Sequence, residues 1–144
     1  DGFEARRVAA KARGRLRGIG VGCFLETSRG APNEGAEVRF EPDGTVTIAL
    51  GTESNGQGHE TSFAQIASRH LGLPIGAFRY VQADTRQVKS GAGHGGARSM
   101  HMGGAALVKA MDAALAKARR LAAHLLQAAG DDDLDYHQGR FTVR

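Results

Sequence analysis

Two glycine-rich stretches of this chain hold polar side chains of the kinds that bind small ligands. Residues 51–60 are Gly-Thr-Glu-Ser-Asn-Gly-Gln-Gly-His-Glu, and residues 91–99 are Gly-Ala-Gly-His-Gly-Gly-Ala-Arg-Ser. Glycine has no Cβ atom, so its backbone N–H groups can approach a ligand closely. Each stretch lies between an apolar run and a helix-like run, and the first turn of each helix would add unpaired N–H donors. The pattern predicts a single anionic ligand that is held from two sides.

The polar side chains of these two loops favour binding over proton transfer. Gln57 lies between two glycines and can both donate and accept hydrogen bonds, but an amide is not a base at neutral pH. Arg98 has the planar guanidinium that clamps phosphate groups, and Ser99 is a possible N-cap donor. The sequence leaves a structural alternative open for each residue. Gln57 and Ser99 could simply cap the helices that follow them, and Arg98 could form a surface salt bridge.

The histidines His59, His94 and His101 raise the question of a zinc site. No pair of them is spaced i, i+4 on a helix, and no carboxylate or cysteine completes a known ligand set. Neither loop ends in the Gly-Lys-Ser/Thr sequence of the phosphate-binding loop in nucleoside triphosphatases. We therefore expect no metal ion held by protein side chains.

The hydrophobic pattern predicts the elements that position the two loops. Alternating apolar residues predict strands over residues 19–25, 36–41, 45–50 and 78–81, with Pro42-Asp43-Gly44 as a hairpin turn. Apolar residues at helical spacing predict helices over residues 3–13, about 60–71 and about 99–127. Residues 134–143 predict a final hairpin or strand around Gly139. Together they predict a single domain over residues 1–144, an α+β fold whose mixed sheet has helices packed on one face.

Composition indicates an ordinary globular protein. The 144 residues are 41% hydrophobic, and no run approaches the roughly 18 apolar residues of a membrane span. The single cysteine, Cys23, excludes an internal disulfide and is expected to be a small strand residue. It favours a reducing compartment, so we expect a cytoplasmic location, with a periplasmic one left open. The chain begins without methionine in a helix-like segment and ends in a strand-like one, which predicts a piece of a longer polypeptide.

The net charge of +4 comes from the first 17 residues, which contain six basic and two acidic side chains. A basic terminal segment can bind nucleic acid. This one has no interleaved aromatic residues and no nucleic-acid-binding motif. We therefore expect it to contact another part of a larger protein, and we expect neither nucleic acid nor a membrane as a partner.

Several runs, in order along the chain, resemble the molybdenum-binding large subunit of the xanthine dehydrogenase family. This family includes aldehyde oxidases and carbon monoxide dehydrogenase, and the bacterial branch is the most similar. The matching runs are Gly51-Thr52, residues 56–61, residues 64–67, Leu71-Gly72-Leu73-Pro74, Asp84-Thr85, residues 95–99, Gly103-x-Ala105 and Gly139-Arg140-Phe141. The resemblance covers essentially the whole chain. It implies an internal fragment of a molybdopterin-binding domain.

The resemblance implies a molybdenum hydroxylase, an oxidoreductase that inserts oxygen from water into a C–H bond of a small-molecule substrate. The implied cofactor is molybdopterin with molybdenum, in bacteria often as the cytosine dinucleotide. The pterin dithiolene holds the metal, with few or no protein ligands. The implied partners are the rest of the large subunit and the iron–sulfur and flavin subunits or domains, which hold the iron–sulfur clusters and FAD.

The same resemblance implies roles for individual residues. Gln57 would act in catalysis by donating a hydrogen bond to the apical oxygen of molybdenum. Residues on the pterin side of the cofactor would be Gly56, Gln57, Gly58, His59 and Thr61. Residues around its phosphates would be Gly95, Gly96, Ala97, Arg98 and Ser99.

The chain departs from the family pattern at three places. The family usually has threonine or glycine where His94 stands, serine where Ala97 stands, and Asp-Thr-Asp where this chain has Asp84-Thr85-Arg86. Without the serine hydroxyl, phosphate anchoring would depend on backbone N–H groups. The catalytic glutamate of the family lies far toward the C-terminus and has no match here, so we expect the chain alone to be inactive. The alternative is a non-catalytic scaffold that has lost cofactor binding.

Overall fold

The computed structural model of the chain describes residues 1–25, 30 and 32–144. Its helices and strands are, in chain order, α1 (Phe3–Ala12), β1 (Ala36–Phe40), β2 (Val46–Leu50), α2 (His59–Leu71), β3 (Phe78–Val81), α3 (Gly104–Leu125), β4 (Leu134–His137) and β5 (Arg140–Val143). Short 3-10 turns precede β3 and β4, and a π-helical turn, Ser99–Gly103, leads directly into α3. The predicted elements other than the strand over residues 19–25 are thus present.

Strands β1, β2 and β3 form a mixed sheet with β2 in the middle. β1 is antiparallel to β2 and places Val38 opposite Ile48, whereas β3 is parallel to β2 and places Tyr80 beside Ile48. Parallel neighbours need a crossover connection, and α2 provides it between the end of β2 and the start of β3. The predicted α+β fold with a mixed sheet is confirmed. Strands β4 and β5 form a separate two-stranded sheet.

Helices α2 and α3 pack on one face of the sheet and form the core with it. The core side chains are each 1% exposed or less and come from β2 (Ile48, Leu50), α2 (Phe63, Ala67, Leu71) and α3 (Leu107, Met111). Spacings of two in the strand and four in the helices place these residues on one face of each element. The final hairpin attaches to this core because the Tyr136 hydroxyl donates to Leu71 O at 2.7 Å.

Residues 19–25 do not form the strand that their alternation predicted. Within the described part of the chain, no other segment pairs with them, and Val21 and Leu25 are 89% and 96% exposed. Cys23 is also exposed and is not a strand residue. A strand is stable only when its backbone groups pair with a neighbour. The alternation of apolar residues in 19–25 is typical of a strand, but no neighbouring strand in the described part of the chain pairs with this segment.

The two glycine loops cross where Gly51 and Gly91 meet. A Cβ atom on Gly51 would lie 2.2 Å from Gly91 Cα, and a Cβ atom on Gly91 would lie 2.1 Å from Gly51 Cα. Just beyond the crossing, the Gly93 N–H donates to Gly51 O at 3.2 Å. The two backbones are thus in direct contact, and only glycine fits at either position. This contact brings the polar residues of both loops to the same end of β2.

We expect Gly51→Ala and Gly91→Ala each to lower the free energy of unfolding by about 1–3 kcal/mol or more. The added methyl group meets backbone atoms, so a side-chain shift cannot make room for it. The measurement is denaturant unfolding of the complete subunit. Gly76→Ala is the matched control, since a Cβ atom there meets no atom within 4 Å. Equal stability of Gly51→Ala and Gly76→Ala would contradict the crossing.

Candidate functional site

An open cleft of about 690 Å³ lies between the two glycine loops. Both loops and the π-helical turn contribute to its walls, which are formed by Asn55, Gln57, His59, His94, Gly95, Gly96, Ala97, Ser99 and Met100. Six of these are residues that the sequence placed in one site. Gly56, Gly58 and Thr61 belong to the same loop and the first turn of α2, but are not wall residues among those described.

The cleft walls carry hydrogen-bonding groups and no Asp, Glu, Lys or Arg side chain among the described residues. The N-caps of α2 and of the π-helical turn are Gly58 and Arg98, and neither makes a side-chain hydrogen bond to the turn that it starts. First-turn N–H groups have no partner within their own helix, and together they carry a partial positive charge. The arrangement therefore suits an anionic ligand held by neutral donors.

The backbone of the second loop turns sharply beside the cleft. Gly93, Gly96 and Ala97 have φ angles of +70°, +85° and +51°. Glycine adopts this left-handed conformation freely, whereas an alanine in it costs about 1–2 kcal/mol. Such outliers persist only where the surroundings enforce them, and they are frequent at ligand sites. At Ala97 we attribute the enforced conformation to the next residue, Arg98, whose buried guanidinium donates to Gly93 O and Asn33 O.

The amide of Gln57 is oriented by its own loop. Its Oε1 accepts a hydrogen bond from the Asn55 N–H and another from the Ser54 hydroxyl at 3.3 Å, while its Nε2 donates to Glu53 O at 3.2 Å. The backbone N–H of Asn55 identifies which end of the amide is oxygen. Nε2 has two hydrogens, so one remains for an acceptor in the cleft. Gln57 lines the cleft and keeps one donor hydrogen that its own loop does not use.

Arg98 is directed into the protein and not into the cleft. It is 1% exposed and forms an ion pair with Glu34, whose side chain is also 1% exposed. Its guanidinium donates further to Gly93 O at 2.9 Å and to Asn33 O at 2.5 Å. The salt bridge that the sequence left open is therefore present, but it is buried. The guanidinium that was expected to clamp phosphate instead fastens the second loop to the segment before β1.

Ser99 is joined to the first loop through a buried threonine. Its hydroxyl lies 2.6 Å from that of Thr52, and either of the two can be the donor. Thr52 is fully buried, and its carbonyl accepts a hydrogen bond from the Tyr80 hydroxyl at 2.9 Å. Ser99 lines the cleft but follows the N-cap residue of its turn. Its hydroxyl therefore links the two loops at the base of the cleft.

His59 and His94 line the cleft from different loops. His59 is 3% exposed, and its Nδ1 is buried with no hydrogen-bond partner among the described residues. Burial lowers the pKa of His59, and a positive charge on His94 would lower it further. His94 Nε2 lies 2.9 Å from Asn55 Nδ2, and its Nδ1 lies 3.4 Å from Glu53 Oε1 without hydrogen-bond geometry. His94 thus bridges the two loops.

Tyr80 in β3 and Gln82 just after it hold the first loop, and neither was identified from the sequence. Tyr80 bonds Thr52 O, and the Gln82 amide pairs with the Ser54 backbone, accepting from its N–H at 2.6 Å and donating to its carbonyl at 3.4 Å. Burial raises the pKa of Tyr80 to about 12, so its hydroxyl remains a donor near neutral pH. Their spacing of two could have identified them, because it places both side chains on the same face of β3 and its extension.

The family model described as molybdopterin cofactor-binding domain matches residues 1–144. The chain belongs to this family. It is 34% identical to the carbon monoxide dehydrogenase large chain of Hydrogenophaga pseudoflava and 36% identical to that of Afipia carboxidovorans. Each comparison covers 98% of this chain and 19% of the relative. This chain therefore spans about a fifth of the length of these relatives. The resemblance to the molybdenum-binding large subunit is confirmed.

Solved structures agree with this assignment. A crystal structure of Cu,Mo-CO dehydrogenase in its carbon monoxide reduced state has a TM-score of 0.73 and 34% identity, over 98% of this chain and 20% of that one. Quinoline 2-oxidoreductase from Pseudomonas putida 86 has a TM-score of 0.69 and 31% identity, over 99% and 19%. Within the described ranges, the domain has no helix long and apolar enough to cross a membrane.

The buried ion pair gives a prediction for the stability of the domain. Glu34→Ala leaves the Arg98 guanidinium buried without a countercharge, so we expect the free energy of unfolding to fall by about 3–5 kcal/mol. Replacing both partners, with Glu34→Leu and Arg98→Met in one variant, should restore much of the lost free energy of unfolding. Denaturant unfolding of the complete subunit measures both. Arg79→Ala, which removes only the exposed ion pair with Asp43, is the control with little effect expected.

His59 gives a prediction about pH. Burial lowers the pKa of this imidazole from its usual 6.5, so the unfolded chain binds the proton more readily than the folded domain. The stability that it contributes is complete above pH 6.5 and is lost as the pH falls below that value. When the pH is lowered from about 7.5 to about 5.5, we expect the Tm of His59→Gln to fall less than the Tm of the wild type. An unchanged pH dependence would contradict this, and His124→Gln, on the exposed side of α3, is the control.

Proposed function

We propose that this domain supplies two of the cofactor-binding segments in the large subunit of a molybdenum-dependent oxidoreductase. The observation that supports it is the convergence of the two glycine loops on one cleft walled by neutral donors. In a chain of the molybdopterin cofactor-binding domain family, this cleft is the natural place for the cofactor. The large chains of the relatives are about five times longer than this chain, which leaves room for the other cofactor-binding segments that the resemblance implies.

The residues of the cleft fit a pterin cofactor with phosphate groups. Its charge is negative, and the cleft offers N–H and amide donors without a carboxylate to repel it. No group of three or more His, Cys, Asp or Glu side chains in the described part of the chain could hold a metal ion. The resemblance implies that the pterin dithiolene would hold molybdenum, with few or no protein ligands.

The two loops take different roles toward this cofactor. Gln57 would donate its second Nε2 hydrogen to an oxygen of the cofactor's metal centre, and His59 and its neighbours would line the pterin. The backbone of residues 95–99 faces the phosphates, which we propose to be those of a cytosine dinucleotide. Because Arg98 is paired with Glu34, these phosphates are met by backbone N–H groups and by the Ser99 hydroxyl. When bound, the cofactor supplies redox chemistry for hydroxylation of a C–H bond with oxygen from water.

The complete reaction needs groups outside this domain. The catalytic glutamate would come from another part of the large subunit, and iron–sulfur and flavin partners would remove the electrons. The domain alone is thus inactive, and its location would be cytoplasmic. The non-catalytic scaffold is not favoured, because His94 and Ala97 line the cleft and leave it open.

The role of Gln57 is tested by replacing it in the complete subunit. Gln57 is exposed, and its side chain bonds only to its own loop in the described part of the chain, so Gln57→Ala should retain folding and cofactor. Loss of a single donor to a developing charge lowers kcat by about 10²–10³-fold, and we expect an effect of that order. Turnover and the spectrum of the molybdenum centre are the measurements.

Two further variants sharpen this test. Gln57→Glu replaces the donor by an acceptor and should be no more active than Gln57→Ala. Gln65→Ala removes an exposed glutamine of α2 and should match the wild type. Unchanged turnover and an unchanged spectrum in Gln57→Ala would rule out the proposed role.

A further inference from the structure

Thr52 and Ser99 share one hydrogen bond between the two glycine loops. Their hydroxyl oxygens lie 2.6 Å apart, and a hydroxyl group can either donate or accept. The distance alone therefore leaves the direction of this bond open. The direction matters because it decides which hydroxyl hydrogen is used between the loops and which one remains for another partner.

The surroundings of Thr52 determine the direction. The residue is 0% exposed, and across the described ranges the Ser99 oxygen is the one hydrogen-bond partner of its side chain. If Ser99 donated, the hydroxyl hydrogen of Thr52 would be buried without an acceptor, which is unfavourable by the desolvation free energy of that group. Ser99 is only partly buried and lines the open cleft, so its hydrogen does not depend on Thr52 for an acceptor. The geometry therefore favours a bond in which Thr52 donates and Ser99 accepts.

Neighbouring atoms hold Thr52 in the orientation that this bond needs. Threonine is branched at Cβ, so the position of its methyl group also fixes the position of its hydroxyl. The methyl lies against Gly103, because a Cβ atom there would be 2.9 Å from Thr52 Cγ2. The Thr52 carbonyl accepts from the Tyr80 hydroxyl at 2.9 Å, and burial raises the pKa of Tyr80 to about 12, so this donor persists near neutral pH. Thr52 is thus held through both its backbone and its side chain.

We propose that Thr52 is a positioning residue for Ser99: it donates to the Ser99 oxygen and so leaves the Ser99 hydrogen available to an acceptor in the cleft. A hydroxyl that already accepts a hydrogen bond is also a stronger donor. The wall at Ser99 therefore favours a ligand oxygen that only accepts, such as that of an ionised phosphate group, over a ligand group that donates. This inference rests on the proposed function, in which the Ser99 hydroxyl meets the phosphates of the cofactor. Thr52 acts through Ser99 and does not touch the ligand.

The test measures how fast the complete, cofactor-loaded enzyme loses its cofactor. Each variant is incubated at the same interval below its own Tm, and the molybdenum and pterin that pass an ultrafiltration membrane are measured over time. Ser99→Ala loses a hydrogen bond to a charged group, so we expect release to be about 10–100-fold faster. Thr52→Val keeps the shape of the side chain without its hydroxyl and should speed release by a factor of about 2 or more.

Three comparisons show whether Thr52 acts through Ser99. In the Ser99→Ala background, Thr52→Val should have no further effect on release, whereas a purely structural role would act equally in both backgrounds. Thr52→Ser keeps the hydroxyl and should release the cofactor at the wild-type rate. Thr142→Val removes the hydroxyl of an exposed threonine in β5 and is the matched control.

The outcomes separate the two proposals. An unchanged release rate in Ser99→Ala means that the proposed contact of Ser99 with the cofactor is wrong, and the inference falls with it. Faster release from Ser99→Ala with a wild-type rate in Thr52→Val overturns the positioning role and leaves that contact standing. Equal effects of Thr52→Val in both backgrounds also overturn the positioning role.

If Thr52→Val does not retain its cofactor, the Tm of the complete subunit without cofactor decides. Ser99→Ala leaves the buried Thr52 hydrogen unpaired, whereas the double variant Ser99→Ala/Thr52→Val removes both partners. The double variant should therefore have the higher Tm of the two. An equal or lower Tm in the double variant overturns the inference.

Discussion

The buried ion pair between Arg98 and Glu34 determines where the two glycine loops lie. Charges taken out of water are stable only when paired and fully hydrogen-bonded. Here Arg98 also donates to Gly93 O and Asn33 O, and Glu34 accepts from the Gly35 N–H at 2.9 Å. The pair thus joins the second loop to the segment before β1. Gly51 lies against the same carboxylate, because a Cβ atom on it would be 2.3 Å from Glu34 Oε1.

This use of Arg98 explains the neutral character of the cleft. An arginine beside phosphates would attract them strongly, but its charge here is balanced inside the protein. Attraction for an anion must therefore come from N–H groups, which need a close approach of the backbone. In the proposed function, that requirement would account for Gly95 and Gly96, the glycines of the cleft wall.

Local signals in the sequence predicted most of the fold and one half of the site. The turn at Pro42-Asp43-Gly44 and the periodic helices α2 and α3 are determined by neighbouring residues, so they could be predicted. The partner of Arg98 lies 64 residues away, and no local pattern identifies it. For the same reason, Tyr80 was predicted only as a residue of the strand over 78–81, and Gln82 as part of the polar connection that follows it. Residues 19–25 were predicted wrongly because alternation does not show whether a neighbouring strand exists.

The site divides into a closely packed base and an exposed tip, and different interactions hold them. At the base, Gly51, Gly91 and Thr52 are fixed by backbone contact and buried hydrogen bonds, so their substitution acts on folding. At the tip, residues 55–58 are exposed and have little packing to hold them, because a ligand must reach them. Their geometry depends on a few side-chain hydrogen bonds, including the one to His94. Each such bond contributes about 1 kcal/mol to stability. Changes at the tip therefore alter the wall of the cleft with little effect on the fold, whereas changes at the base act on the fold itself.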